Sequence, residues 1–317
     1  MNIIRYRHFF LFFSGALVAL SVLALIFWRL TLGIDFLGGT LWEVGLRTDP
    51  EAEQARYGAG GERLTAVELK DFFEKNLGLK DVSVSPSENQ RFLIRLPHLG
   101  EVEHQSHLGQ LKFKYPDLEE VRFDAIGPAI GKELRQKAVW AIILVLFGIS
   151  FYVTLAFRKV SRPIKSWKYG MITLATLFHD VMIPVGLFSV LGRFGGVSAD
   201  INFVVAVLVV MGFSVHDTIV VFDRIRENLL SVRQNLNFAG LSEIIGGSVS
   251  QTATRSVNTS LTLILVLLAL LFFGPSSLWY FILTILVGVT FGTYSSICVA
   301  SPLLLLISGT KKSSHAL

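Results

Sequence analysis

A single cysteine, Cys298, occurs in the chain, and it sits inside an apolar run. No internal disulfide can form, so no covalent staple shapes the fold and the redox compartment cannot be read from thiols. Charge is also scarce: Asp, Glu, Lys and Arg make up 17% of the 317 residues, against 52% hydrophobic ones. With a mean hydropathy of +0.57, that balance excludes an ordinary soluble domain. The net charge of +5 is not a nucleic-acid footprint, because the basic residues gather at the ends of apolar runs rather than on one face. Low-complexity tracts and phosphate-type GxGxxG loops are both missing.

What is present is a series of apolar runs, each long enough to cross a ~30 Å hydrocarbon layer, which takes about 20 residues. They fall at about 9–32, 139–157, 169–191, 201–222, 249–273 and 278–308. The first is preceded by Arg5 and Arg7 like a signal peptide, but no small-residue cleavage site follows and Trp28–Arg29 closes it, so it reads as an uncleaved span. Arg5, Arg7, Arg158, Lys159, Arg162, Lys165, Lys168, Arg224, Arg226, Arg233, Lys311 and Lys312 all fall on one side. The opposite short loops hold only Arg193, balanced by Asp200, and the uncharged stretch 274–277. The positive-inside rule puts both termini of this multi-pass membrane protein in the cytoplasm and the long insert on the other side. The expected division is a cytoplasmic N-terminus and first span over 1–32, an extracytoplasmic insert over 33–136, a five-span bundle over 137–308 with a cytoplasmic loop at 223–248, and a cytoplasmic tail at 309–317.

The insert has its own pattern. Strand character appears at 41–46, 81–85, 91–96 and 118–126. Thr65 and Glu68 form a capping box that opens a helix through about residue 76. A second helix spans 101–114 and stops before Pro116, and residues 57–63 form a loop. The order β-α-β-β-α-β is that of a ferredoxin-like split βαβ unit. The fold class expected is a polytopic α-helical membrane protein with six transmembrane helices and one α+β ferredoxin-like extracytoplasmic domain between spans 1 and 2. Between spans 4 and 5, Leu241, Ile244 and Ile245 share one helical face, predicting a short helix at the cytoplasmic interface.

Candidate chemistry centres on residues 207–228, where His216 and Asp217 lie inside an apolar run. An aspartate at the centre of a span costs about 2.5–3.5 kcal/mol on insertion scales, so such a residue faces a partner or a wet cavity. Asp217 is two helical turns, ~10 Å, inside Arg224. Span 5 carries Arg255, Asn258, Thr259 and Thr262 as a polar stripe at helical spacing, which lets Arg255 reach the depth of Asp217. Desolvation and a nearby arginine act on a carboxyl in opposite senses, leaving a group able to gain and lose a proton. His179–Asp180 in span 3 repeats the His-Asp pair. Metal binding is disfavoured, because adjacent helical residues point about 100° apart and no E-x-x-H or H-E-x-x-H spacing flanks either pair. An intramembrane aspartic protease built on Asp180 and Asp217 leaves the outer insert unexplained. Asp223, Arg224, Arg226 and Glu227 read as a solvated span end with internal charge pairs, or as a docking face. Gly288 and Gly292 form a GxxxG that permits close helix approach. Gly33, Asp35, Gly38 and Gly39 form a turn leading from span 1 into the first strand.

Taken together, these stretches resemble the SecD/SecF family of the bacterial protein-export machinery. The resemblance rests on GIDFLGG at 33–39, GPAIGKEL at 127–134, HD at 179–180, GFSVHDTIVVFDRIREN at 212–228, RSVNTS at 255–260 and GTYSSICVAS at 292–301, in order along nearly the whole chain. The DRIREN ending and the short outer insert favour the SecF branch. The resemblance implies half of a resistance-nodulation-division fold that pairs with SecD and associates with the SecYEG channel, with YajC and YidC as further partners and unfolded secretory protein as cargo. It implies that inward proton flow drives the outer domains, with Asp217 and Arg255 on the proton path and His216, His179, Asp180, Ser214, Asn258 and Thr259 as relay or neighbouring groups. The family often has Asn before the span 4 aspartate, so His216 is a departure that adds a titratable group. No enzyme activity, cofactor or metal is expected. Two alternatives stay open: a half-transporter for small molecules or lipids, which needs a deep apolar pocket in the insert, and a structural subunit that stabilises SecD and carries no proton.

Overall fold

A computed structural model describes residues 3–46, 64–87, 91–158, 164–232 and 237–308. Lys159, Arg162, Arg233, Lys311, Lys312, the loop at 57–63 and the tail at 309–317 lie outside the described residues. The chain divides into a membrane unit, Met1–Thr31 with Ala138–Leu317, and the insert, Leu32–Lys137.

After the first helix, α1 (Arg7–Trp28), the insert begins with the short helix α2 (Ile34–Leu37), which leads into β1 (Gly39–Leu46). Then follow α3 (Ala66–Asp71) with a π-helical turn (Phe72–Asn76), β2 (Ser83–Ser87), β3 (Arg91–Leu96), α4 (Glu101–Lys114) and β4 (Leu118–Ile126). The strands form an antiparallel sheet in the order β2-β3-β1-β4. Side chains alternate across β3, with Phe92, Ile94 and Leu96 buried. With Trp42 and Val44 of β1 they meet Leu69, Phe72, Phe73 and Leu111 from the helices in one core. The Thr65 side chain accepts from the Glu68 N–H while the Glu68 carboxylate accepts from the Thr65 N–H, so the capping box forms as expected. His104 clasps α4 to β4: its Nε2 lies 2.6 Å from a Glu120 oxygen, and its ring stacks on Phe123 at 3.6 Å.

The glycine turn before β1 does more than reverse the chain. Gly38 has φ +77°, and a Cβ there would lie 2.7 Å from the Cα of Pro128. A Cβ on Gly131 would likewise lie 2.7 Å from the Gly38 nitrogen. The motifs at 33–39 and 127–134 therefore press backbone against backbone, and only glycine fits at that separation.

The membrane unit contains six helices long and apolar enough to cross a bilayer among the described residues. They are α1 (Arg7–Trp28), α5 (Pro128–Ala156), α6 (Ser166–Gly195), α7 (Ile201–Ser231), α8 (Phe238–Phe273) and a broken last span. That last span consists of a short 3-10 turn, α9 (Trp279–Ser295), a π-helical turn (Ser296–Ala300) and α10 (Ser301–Ile307). Most of α6 and of the last span is buried, whereas α1, α5 and α8 present most of their surface outward. The interfacial helix expected between spans 4 and 5 is not separate. α7 runs on to Ser231 and α8 begins at Phe238, continuous with span 5. Leu241 and Ile245 are fully buried beside Ile3, Ile4, Phe222 and Leu304, so their shared apolar face meets protein rather than lipid.

Candidate functional site

Helical spacing puts Ser214, Asp217, Thr218 and Val221 on the inward face of α7. Facing them are His179 and Asp180 of α6, Ser256 and Ser260 of α8, and the end of α9. Gly288 and Gly292 set that approach. A Cβ on Gly288 would come 2.2 Å from Cγ2 of Val210, and one on Gly292 would lie 3.1 Å from the Ser214 Cβ. The GxxxG thus lies where α9 approaches α7 closely. Gly288→Ala overpacks this contact and is expected to cost about 1–3 kcal/mol, read as a lowered melting temperature of the detergent-purified chain; an unchanged melting curve would show that α9 can simply step back.

Two consecutive hydroxyls sit where α9 passes into a π-helical turn, a feature common at functional sites. Ser295 Oγ lies 2.8 Å from Asp180 Oδ2, while Ser296 Oγ lies 3.4 Å from Asp217 Oδ2. The neighbours thereby serve two different carboxyl groups.

The two carboxyl groups are not equivalent. Asp180 is wholly buried and saturated: Ser214 Oγ and Ser295 Oγ both donate to Oδ2, and His179 Nδ1 sits 2.7 Å from Oδ1. Three helices are tied together at this point. Asp217 is also buried, but its contacts are looser: Ser296 Oγ lies at 3.4 Å, and the Ser256 hydroxyl faces the same carboxyl group. The Thr218 hydroxyl is buried nearby with no partner among the described residues, as is Nε2 of His179. A buried carboxylate needs donors to stay charged. Asp180 has them in place, and Asp217 has them at looser range.

The expected pairing of Asp217 with Arg255 is absent among the described residues. Arg255, Asn258, Thr259 and Thr262 do share a stripe, but it is exposed on the outer side of α8. The small residues Thr252, Ser256 and Ser260 take the inward face, where Ser260 Oγ and Thr293 Oγ1 lie 2.5 Å apart. Arg255 and Ser256 point about 100° apart, so packing the serine turns the arginine out. His216 is likewise exposed, and Ser214 serves Asp180 instead of Asp217. At the end of α7, Arg226 lies 3.4 Å from Asp223 and Arg224 2.5 Å from Glu227, the charge pairs expected of a solvated span end. Arg224 also donates to Gln251, and Asn228 to Ser248, so DRIREN additionally straps α7 to the start of α8. Sequence reasoning did not single out Ser256, Ser295 or Ser296. Their signal was the run of small hydroxylated residues in 250–260 and 293–301.

The fold and the site define a polytopic helical membrane protein with two carboxyl groups held at span depth among four helices. Residues 108–310 match the family described as protein export membrane protein SecD/SecF, C-terminal, and the chain belongs to this SecD/SecF family. It is 40% identical over 314 residues to a protein translocase subunit SecF of Thermobaculum terrenum, spanning 98% of this chain and 95% of that one. A SecF of Sebaldella termitidis is 35% identical over 98% of this chain and 93% of its own length. Among solved structures, SecDF of Thermus thermophilus, described as a translocon-associated membrane protein, superposes with a TM-score of 0.78 at 33% identity. The match covers 96% of this chain and 38% of that one.

Proposed function

We propose that the chain is a SecF-type subunit of the protein-export machinery that works with a SecD-type partner to couple proton flow to late-stage translocation of secretory proteins. The observation that supports a proton carrier is the contrast between the carboxyl groups. Asp180 is held by three close contacts, whereas Asp217 is buried with looser contacts to Ser296 and Ser256. Proton binding at Asp217 changes little but its charge. One charge crossing 100 mV releases about 2.3 kcal/mol, enough to bias a two-state motion.

Arg255 fits this reading through its exposure. An arginine turned outward from a span is costly against lipid, and with Asn258 and Thr259 it forms a polar face suited to a second membrane subunit. Fused SecDF relatives, of which this chain spans 38% in the Thermus structure, carry such a second part. Arg255 then acts from the partner interface, controlling proton affinity or water access, with His216 as a neighbouring titratable group. On this reading both termini are cytoplasmic, SecYEG, YajC and YidC are the wider partners, and no enzymatic step is involved. The insert is read as ferredoxin-like, because its β-α-β-β-α-β order builds a sheet with β1 and β3 central.

The test is proton uptake. Vesicles holding the chain with its SecD-type partner, given a membrane potential and an unfolded precursor, are expected to acidify internally as followed by a trapped pH dye, and Arg255→Ala should slow this strongly. A pair that exports precursor but moves no protons would leave a purely structural subunit as the better reading.

A further inference from the structure

A concavity of about 670 Å³ lies between the residues that precede α1 and the first turns of α8. Arg5 and Arg7 line one wall, and Ser242, Gly246, Gly247 and Ser250 line the other. Glu243 adds one negative charge, leaving the lining net positive. The site is structurally built. Ile3 and Ile4 are buried against Leu241 and Ile245, which fixes the arginine-bearing segment to α8. Arg7 stands over the Phe238 ring at 5.7 Å and donates from one terminal nitrogen to the Ile4 carbonyl. Its Nε is buried without a partner among the described residues. Arg5 is exposed and makes no ion pair among the described residues. Two guanidinium groups, one exposed and one half-buried, facing Ser242 and the helix glycines across the recess, suit the oxygens of a phosphate.

The surroundings indicate which phosphate. The concavity opens at the end of two spans, and next to it α1 exposes Phe9 (65%) and Phe12 (78%) at the start of its apolar surface. A cationic recess bordered by an apolar helix face matches a headgroup with acyl chains below it. We infer that this recess binds the phosphate of an anionic phospholipid, seating the N-terminal segment on α8.

The experiment compares lipid retention by the full chain in nanodiscs of mixed phosphatidylglycerol and phosphatidylethanolamine, read by native mass spectrometry. The parent chain is expected to retain phosphatidylglycerol preferentially, and Arg5→Gln with Arg7→Gln should cut that retention by about tenfold, the loss of one or two charge-assisted bonds. Gly247→Phe is the second variant. A Cβ at Gly247 meets no atom within 4 Å, so the ring fills the recess while both arginines stay; the same loss is expected with an unchanged melting temperature. Equal retention by the parent and both variants would overturn the proposal, as would equal retention of the two lipids. Displacement of phosphatidylglycerol by inorganic phosphate would instead make free phosphate the ligand and overturn the lipid as its source.

Discussion

Export of a secretory precursor is expected to fall by up to about 50-fold in cells carrying Asp217→Asn, the factor that corresponds to losing about 2.3 kcal/mol of proton drive at 100 mV. Asparagine has nearly the same shape and still accepts the bond from Ser296, the contact seen at 3.4 Å. It cannot ionise. The substitution therefore removes the charge cycle and leaves packing against α8 and α9 intact, so the chain and its partner should reach normal levels in the membrane. Asp217→Glu, which keeps an ionisable carboxyl group one methylene further out, should restore part of the export. Pulse-labelled precursor processing measures both, with immunoblots of the subunits alongside. Normal processing in the asparagine variant would remove Asp217 from the coupling step.

The opposite behaviour is expected at Asp180. Replacing it with alanine strands His179 and Ser214, while Ser295 keeps only the Gly292 carbonyl as acceptor. An unmet buried donor costs about 1–3 kcal/mol, so the two together should cost about 2 kcal/mol or more even after neighbours relax. The melting temperature of the purified chain should drop sharply, and membrane levels should follow. Asp180→Asn keeps one acceptor and the side-chain shape, so it should lose much less stability and retain proton uptake. If the asparagine variant were fully stable yet lost uptake, Asp180 would belong to the proton path and the division of roles between the two aspartates would be wrong.

The insert was legible from the sequence because each of its elements has one polar and one apolar side. Period-two alternation at 91–96, the Thr65–Glu68 capping box and the stop before Pro116 all reflect a contrast between a wet and a dry side. β4 and α4 accordingly match their predicted limits. Hydropathy likewise marked all six spans and put costly residues at Asp180 and Asp217. Those facts depend on composition along the chain, and the sequence alone determines them.

What only the tertiary structure decided was how each span is rotated. The polar stripe of α8 was correctly spaced, yet it faces outward while Ser256 and Ser260 face in. Leu241 and Ile245 looked like a membrane-surface face and are core. The π-helical turn, at whose start Ser295 and Ser296 serve two different carboxyl groups, left no periodic trace at all. The reason is physical. Lipid tails and a helix-bundle interior are about equally apolar, so the pattern that separates core from surface in water is absent here. Rotation is fixed instead by which small residues let helices approach, as Gly288 and Gly292 do, and by which polar groups find partners once they have.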